Sequence, residues 1–294
     1  MLVVTGVTGN TGAGVADALL AAGEQVRVVM RDAAPADSWR ARGAEVAIAD
    51  LFDAAAMAQA LRAARAAYLL NPPDYRSADP IGDARRIADA LAAAADRAAL
   101  PHAVVLSSFG THRTDAPGML ATTRIFEQRL SRVAGRVTVL RAASFMETSA
   151  PMIVLAADTG TMPSLVALDV AFEQVAAADL AAVAAEAMRA PPAARLQIVE
   201  LAGPRAYSAN DMAATVAAIA GRPTRAVLVP AAERVATLVA AGMGPAYAAE
   251  VVAITDAISE GRARFEGSDI RRGTTTLDAC IRRILATPPR GPRT

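Results

Sequence analysis

The chain has 294 residues and a formal net charge of +1, so charge offers no argument for nucleic acid or for an anionic membrane surface. Over half of it is hydrophobic, yet much of that share is alanine, and no uncharged apolar stretch reaches the ~18 residues a membrane span needs. With one cysteine (Cys280), two histidines (His102 and His112) and no lysine, the sequence excludes an internal disulfide, a thiolate metal cluster, a Schiff-base lysine and a Tyr-xxx-Lys catalytic pair.

The expected protein is soluble and cytoplasmic, because Met1 runs straight into Leu2-Val3-Val4 without a charged leader. Residues 2–5 read as a short strand, and 13–22 as a helix closed by Gly23. Further strands are expected at 25–30, 45–49, 66–70, 103–107 and 136–140. Helices are expected at 54–64 behind the cap Asp53, at 81–99 and at 122–133. Strands that are apolar throughout, separated by helix-length segments, predict an α/β Rossmann-type, doubly wound parallel sheet.

Beyond Arg141 the alternation loosens. Strands are expected at 172–176, 196–201 and 225–229, and helices at 179–189, 208–220, 231–241, 245–259 and 276–285. The division is a dinucleotide-binding domain of 1–146 plus about 166–204, and a smaller, mostly helical substrate lobe of about 147–165 plus 205–287. Residues 288–294 read as a flexible tail.

The stretch Val4-Thr5-Gly6-Val7-Thr8-Gly9-Asn10-Thr11-Gly12 places three glycines between the first strand and the first helix. Gly6 permits a tight turn, Gly9 a close approach of backbone to a pyrophosphate, and Gly12 close helix–strand packing. Thr8, Asn10 and Thr11 stand beside the phosphate on the same turn, which without a ligand is simply a tight turn. Arg31 follows the second strand and is better placed than Asp32 to meet the adenosine ribose, which favours NADP(H) over NAD(H). Asp50 and Leu51 after the third strand flank the adenine. Asn71-Pro72-Pro73 after the fourth either line the path to the nicotinamide or merely stop the strand.

With these segments placed, the chain resembles the NmrA-like family, an atypical branch of the short-chain dehydrogenases. The glycine-rich stretch carries part of the likeness. The rest comes from Val104-Val105-Leu106-Ser107-Ser108-Phe109-Gly110, Glu127-Gln128-Arg129-Leu130, Val139-Leu140-Arg141-Ala142-Ala143-Ser144-Phe145-Met146-Glu147, Ala178-Asp179-Leu180-Ala181 and Glu200-Leu201-Ala202-Gly203-Pro204. It departs from the family at Ala142, where Pro is usual, and at Thr148, where Asn is usual. Thr123 or Arg124 stands where a Lys often approaches the nicotinamide, and no Tyr occurs between Tyr75 and Tyr207. The resemblance implies an NAD(P)H-binding fold, with Ser144 and Phe145 near the cofactor. Some relatives reduce quinones or similar acceptors, and others sense the cofactor's redox state and regulate a protein partner.

The candidate proton-handling residues are Ser107 and Ser108, at the end of the fifth strand, and His112 on the following loop. Strand-end capping and an exposed loop histidine are the plainer readings. Phe109, Phe145, Met146, Met243 and Tyr247 are the candidates for an apolar substrate slot, or for ordinary core. The expected function is an NADPH-dependent reductase of a quinone-like or other conjugated small molecule, with no metal and no nucleic-acid partner. The alternatives are a non-catalytic redox sensor with a protein partner and, behind both, a nucleotide-using isomerase.

Overall fold

The computed structural model describes residues 1–115 and 117–287. Its first half runs β1 (Leu2–Val4), α1 (Asn10–Ala21), β2 (Val26–Met30), α2 (Ala36–Ala41), β3 (Glu45–Ile48), α3 (Ala54–Ala60), β4 (Ala66–Leu69), α4 (Pro80–Arg97), β5 (His102–Ser108), α5 (Met119–Leu130) and β6 (Arg136–Ala142). There follow β7 (Ser144–Phe145), α6 (Ala150–Thr159), β8 (Thr161–Ser164), β9 (Phe172–Val175), α7 (Ala177–Arg189) and β10 (Leu196–Ala202). Last come β11 (Ala206–Tyr207), α8 (Ala209–Ala220), β12 (Arg225–Leu228), α9 (Arg234–Ala240), α10 (Pro245–Ser259), β13 (Arg271–Arg272) and α11 (Leu277–Ala286).

Eight strands form one sheet in the order β13-β10-β6-β5-β4-β1-β2-β3, and every pairing in it is parallel. The order reverses between β1 and β4, which opens a crevice at their carboxyl ends. Strand alternation splits the core in two. Leu2 and Val4 of β1 pack on the face covered by α1 and α7, and Val3 packs on the face of α3, α4 and α5. All three are fully enclosed, and each contributes roughly 1.5–3 kcal/mol by leaving water.

Helix ends follow local chemistry. The Asp53 carboxylate accepts from the Ala55 and Ala56 amides, and Ser208 and Asp211 form a capping box on α8. Gly160 and Gly221, both left-handed, close α6 and α8. Helix α1 begins at Asn10, earlier than its apolar periodicity indicates, because Gly9 is already its extended N-cap.

No element was expected in 147–165, where α6 and β8 form. The run Met152-Ile153-Val154-Leu155 is apolar on all sides, so it shows no helical period. The six-residue α2 is also absent from the periodicity and is held by the buried Trp39. Strand β9 joins β7 and β11 in a separate three-stranded sheet, and β8 pairs with β12. The lobe core gathers Met146, Ile153, Met162, Met212, Val216 and Ile281. Residues 271–272 follow the lobe helices in sequence but add the edge strand to the main sheet. Among the described residues no helix is long and apolar enough to cross a membrane. The tail 288–294 lies outside them.

Candidate functional site

The carboxyl edge of the sheet gathers most of the residues singled out above. Gly6 takes φ +68°, and a side chain there would strike Leu70. Gly12 sits in the first turn of α1, where a Cβ would lie 2.4 Å from the Thr5 carbonyl oxygen and 2.5 Å from that of Gly6. Its missing side chain is what lets the helix descend onto β1. Gly9 differs. Its φ of −102° suits any residue, and a Cβ there would meet only the Gly6 oxygen, at 3.4 Å. No packing of the protein requires glycine at 9. The space above it is open, and the amides of the first turn of α1 have no side-chain cap. An exposed backbone cradle with free amides at a positive helix end fits a pyrophosphate.

The wholly buried Tyr68 phenol lies near the Thr11 hydroxyl, and burial pushes its ionisation far up. On the adenosine side, Arg31 is exposed and no described residue holds its guanidinium. Asp32 is engaged, since its carboxylate accepts from the Ala34 amide at 3.0 Å. Asp50 closes a turn by accepting from the Phe52 amide. Leu51, Asn71 and Pro72 are half-buried, and Pro73 is exposed.

The two serines of β5 part company. Alternation turns Ser107 to the α5 face and Ser108 to the opposite one, the side of Leu106 and Val104. Ser107 donates to the Glu127 carboxylate, so its hydroxyl is committed within the protein. Ser108 is half-buried, and no described side chain holds its hydroxyl. His112 lies in the turn that follows, with its Nδ1 buried and without a partner among the described residues. On α5, the Thr123 hydroxyl bonds back to the Met119 carbonyl, whereas the Arg124 Nε is buried without a partner among the described residues.

The slot candidates also divide. Phe109 and Met146 are enclosed, at 1% and 0% exposure, in two apolar clusters, and neither presents a surface. Ser144 and Phe145 are half-buried on β7, and Met243 is half-buried just before α10. Tyr247 packs edge-on against the exposed Tyr75, with ring centroids 5.2 Å apart, and burial raises its ionisation. The Gly244 amide donates to the Tyr75 carbonyl at 2.8 Å, and Gly118 lies tight against the α10 backbone. Helix α10 thus bridges the segments that follow β4 and β5.

A charge cluster escaped the sequence reading. Ser107, Arg141 and Glu200 stand in register on β5, β6 and β10, and Ser107 and Arg141 both meet Glu127 of α5. Arg141 Nη2 donates to Glu127 at 2.7 Å and Nη1 donates to Glu266, while Glu200 accepts from the Glu266 and Gly267 amides at 2.9 Å. The available signal was an arginine inside the apolar run of β6. Its partners lie on elements that periodicity cannot bring together. Among the described residues no cluster of three potential ligands could hold a metal ion.

The NmrA-like family model matches residues 1–274. The chain belongs to that family. An NAD(P)H azoreductase of Xenophilus azovorans is 27% identical over 230 residues, 78% of this chain and 77% of the relative. An Escherichia coli NADPH-dependent quinone oxidoreductase, solved with NADPH, superposes with a TM-score of 0.82 at 23% identity, over 97% of this chain and all of that one. A Citrobacter triphenylmethane reductase, solved with NADP(H), has a TM-score of 0.83 at 20% identity with the same coverage. Both share the Rossmann-like fold.

Proposed function

We propose that this protein is an NADPH-dependent oxidoreductase that passes hydride to a quinone-like or other conjugated small molecule. The observation that carries the reading is the joint occupation of one sheet edge. An uncapped helix start above an open Gly9 lies across the switch point from the β5 end, where the Ser108 hydroxyl and the His112 Nδ1 have no partner among the described residues. The dye, azo and quinone reductases among the relatives support the same chemical class.

A bound NADPH would supply the hydride. Every other task falls to the chain. The amides at Asn10 and Thr11, with Thr8 beside them, take the pyrophosphate. Arg31 takes the 2′-phosphate, and Asp50 and Leu51 border the adenine. Asn71, Pro72, Ser144 and Phe145 bound the inner end of the same cleft. Ser108 orients an acceptor oxygen, and His112 holds a proton for it. Phe145, Met243 and Tyr247 form the apolar wall, with Phe109 and Met146 as packing behind it. Quinone-like acceptors suit a chain without the Tyr and Lys pair, because their reduced products take protons readily from water. Orientation and an apolar slot then supply most of what is needed. A cytoplasmic setting belongs to the same reading.

The absent Tyr and Lys also favour a second reading, a redox sensor that binds the cofactor and a protein partner without turnover. A fluorescence titration with NADPH and NADH, followed by a quinone panel in the same cuvette, separates the two. Tight NADPH binding with rapid oxidation is the expected result. Binding without oxidation of NADPH by any acceptor moves the sensor reading to first place, and absence of binding overturns both.

A further inference from the structure

We infer that Glu127 is a positioning residue that presents Ser108 and His112 to the substrate; this rests on reading the β5 edge as the reaction site. The carboxylate grips the residue immediately before each candidate. Its Oε2 accepts from the Ser107 hydroxyl, one residue before Ser108. The same oxygen accepts from the Thr111 hydroxyl at 2.8 Å, one residue before His112. The single Thr111 proton is shared with the Ser108 carbonyl, also 2.8 Å away, so one hydroxyl joins the carboxylate to the turn. Two backbone points of the 107–112 segment are therefore tied to one atom.

Strand geometry makes this tie directional. Neighbouring side chains on β5 point to opposite faces, so fixing Ser107 on the α5 face sends Ser108 to the other. That other face is the one covered by α1, the helix that starts at the glycine-rich turn. Ser107 and Thr111 are themselves buried, at 3% and 2% exposure, so they act on a substrate only through their neighbours.

Glu127 suits the task because its own place is over-determined. Arg141 reaches it through Nη2 at 2.7 Å and through Nε at 3.2 Å. Arg141 is held in turn by Glu266, with Glu200 3.9 Å away. Burial opposes the charge on Glu127, but Arg141 and the two hydroxyls outweigh it and hold the carboxyl below the usual carboxylate range. The tether is thus an ionised acceptor whose two oxygens are both held by Arg141, Oε1 through Nη2 at 2.7 Å and Oε2 through Nε at 3.2 Å.

The test is the Ser107→Ala/Thr111→Val double variant, which cuts the tether yet leaves the Glu127–Arg141 pair intact. The chain has two histidines, so their ring resonances are resolved in one ¹H–¹⁵N spectrum. His102 is held by Thr138 at 3.0 Å on the far end of β5 and serves as the internal control. We expect the His112 signal to shift or broaden and the His102 signal to stay. With 1,4-benzoquinone as acceptor, kcat falls roughly tenfold or more while KM for NADPH changes less than about twofold. A purely structural role lowers stability alone. An unmoved His112 signal in the folded variant overturns the proposal, whatever happens to kcat. Should the double variant fail to fold, Thr111→Val alone carries both readouts. If the wild-type chain neither binds NADPH nor turns over, the functional reading fails, and the His112 signal still decides the tether.

Discussion

The glycine-rich turn and the charge cluster on β5, β6 and β10 lie at the same edge of one sheet, yet they are held by opposite means. The turn is shaped by missing side chains. Gly6 and Gly12 let backbone touch backbone, and Gly9 leaves the surface open. The cluster is shaped by buried side chains, with Arg141 at 5% exposure among three carboxylates. A backbone-made site is local and tolerates a variable surround. A site made of buried charges is specific, but each partner leaves a costly orphan when removed.

The largest effect should come from breaking the cluster. Arg141→Met strands the buried Glu127 carboxylate and should cost about 3–5 kcal/mol in urea unfolding. Gly12→Ala probes the turn and should cost about 3 kcal/mol, because its Cβ meets backbone that cannot yield. A loss of less than about 0.5 kcal/mol would show that α1 simply slides.

The amino end of β5 offers a third kind of burial. Enclosure of His102, with the Arg136 charge adding to it, lowers its imidazole to about 4. A group whose folded value is depressed stabilises the protein above its unfolded value, near 6.5, and loses that contribution as pH falls towards 4. The loss should approach about 3 kcal/mol in the unfolding free energy from urea titrations between pH 7 and pH 4. His102→Gln should flatten the dependence.

Binding distinguishes the glycines further. Gly9→Val should leave the fold within about 1 kcal/mol, since the residue is extended and exposed. It should weaken NADPH roughly a hundredfold, about 2.7 kcal/mol, in a fluorescence titration. Gly12→Ala should reverse that order of losses. The smallest effect is expected from Arg31→Ala, at about tenfold in NADPH affinity with NADH changed less than about twofold. Equal losses for both nucleotides would move the 2′-phosphate contact to another residue.

Apart from the short α2, which was not, the alternation of β1 to β6 with α1, α3, α4 and α5 was legible in the residues, as were the cap Asp53, the glycine-rich turn and the family. Each is a local pattern of apolar period or backbone chemistry, complete within a dozen or so residues. The lobe was less legible, because α6 is apolar on every side and shows no period. Only the tertiary structure decided that Ser107 is committed while Ser108 is not, that Phe109 and Met146 are enclosed, and that residues 271–272 return to the main sheet. It alone joined Arg141 to Glu266, 125 positions along the chain. The physical reason is that the spacing of residues along an element sets which face a side chain takes. What waits on that face is set by parallel strands and crossover helices that bring distant segments together.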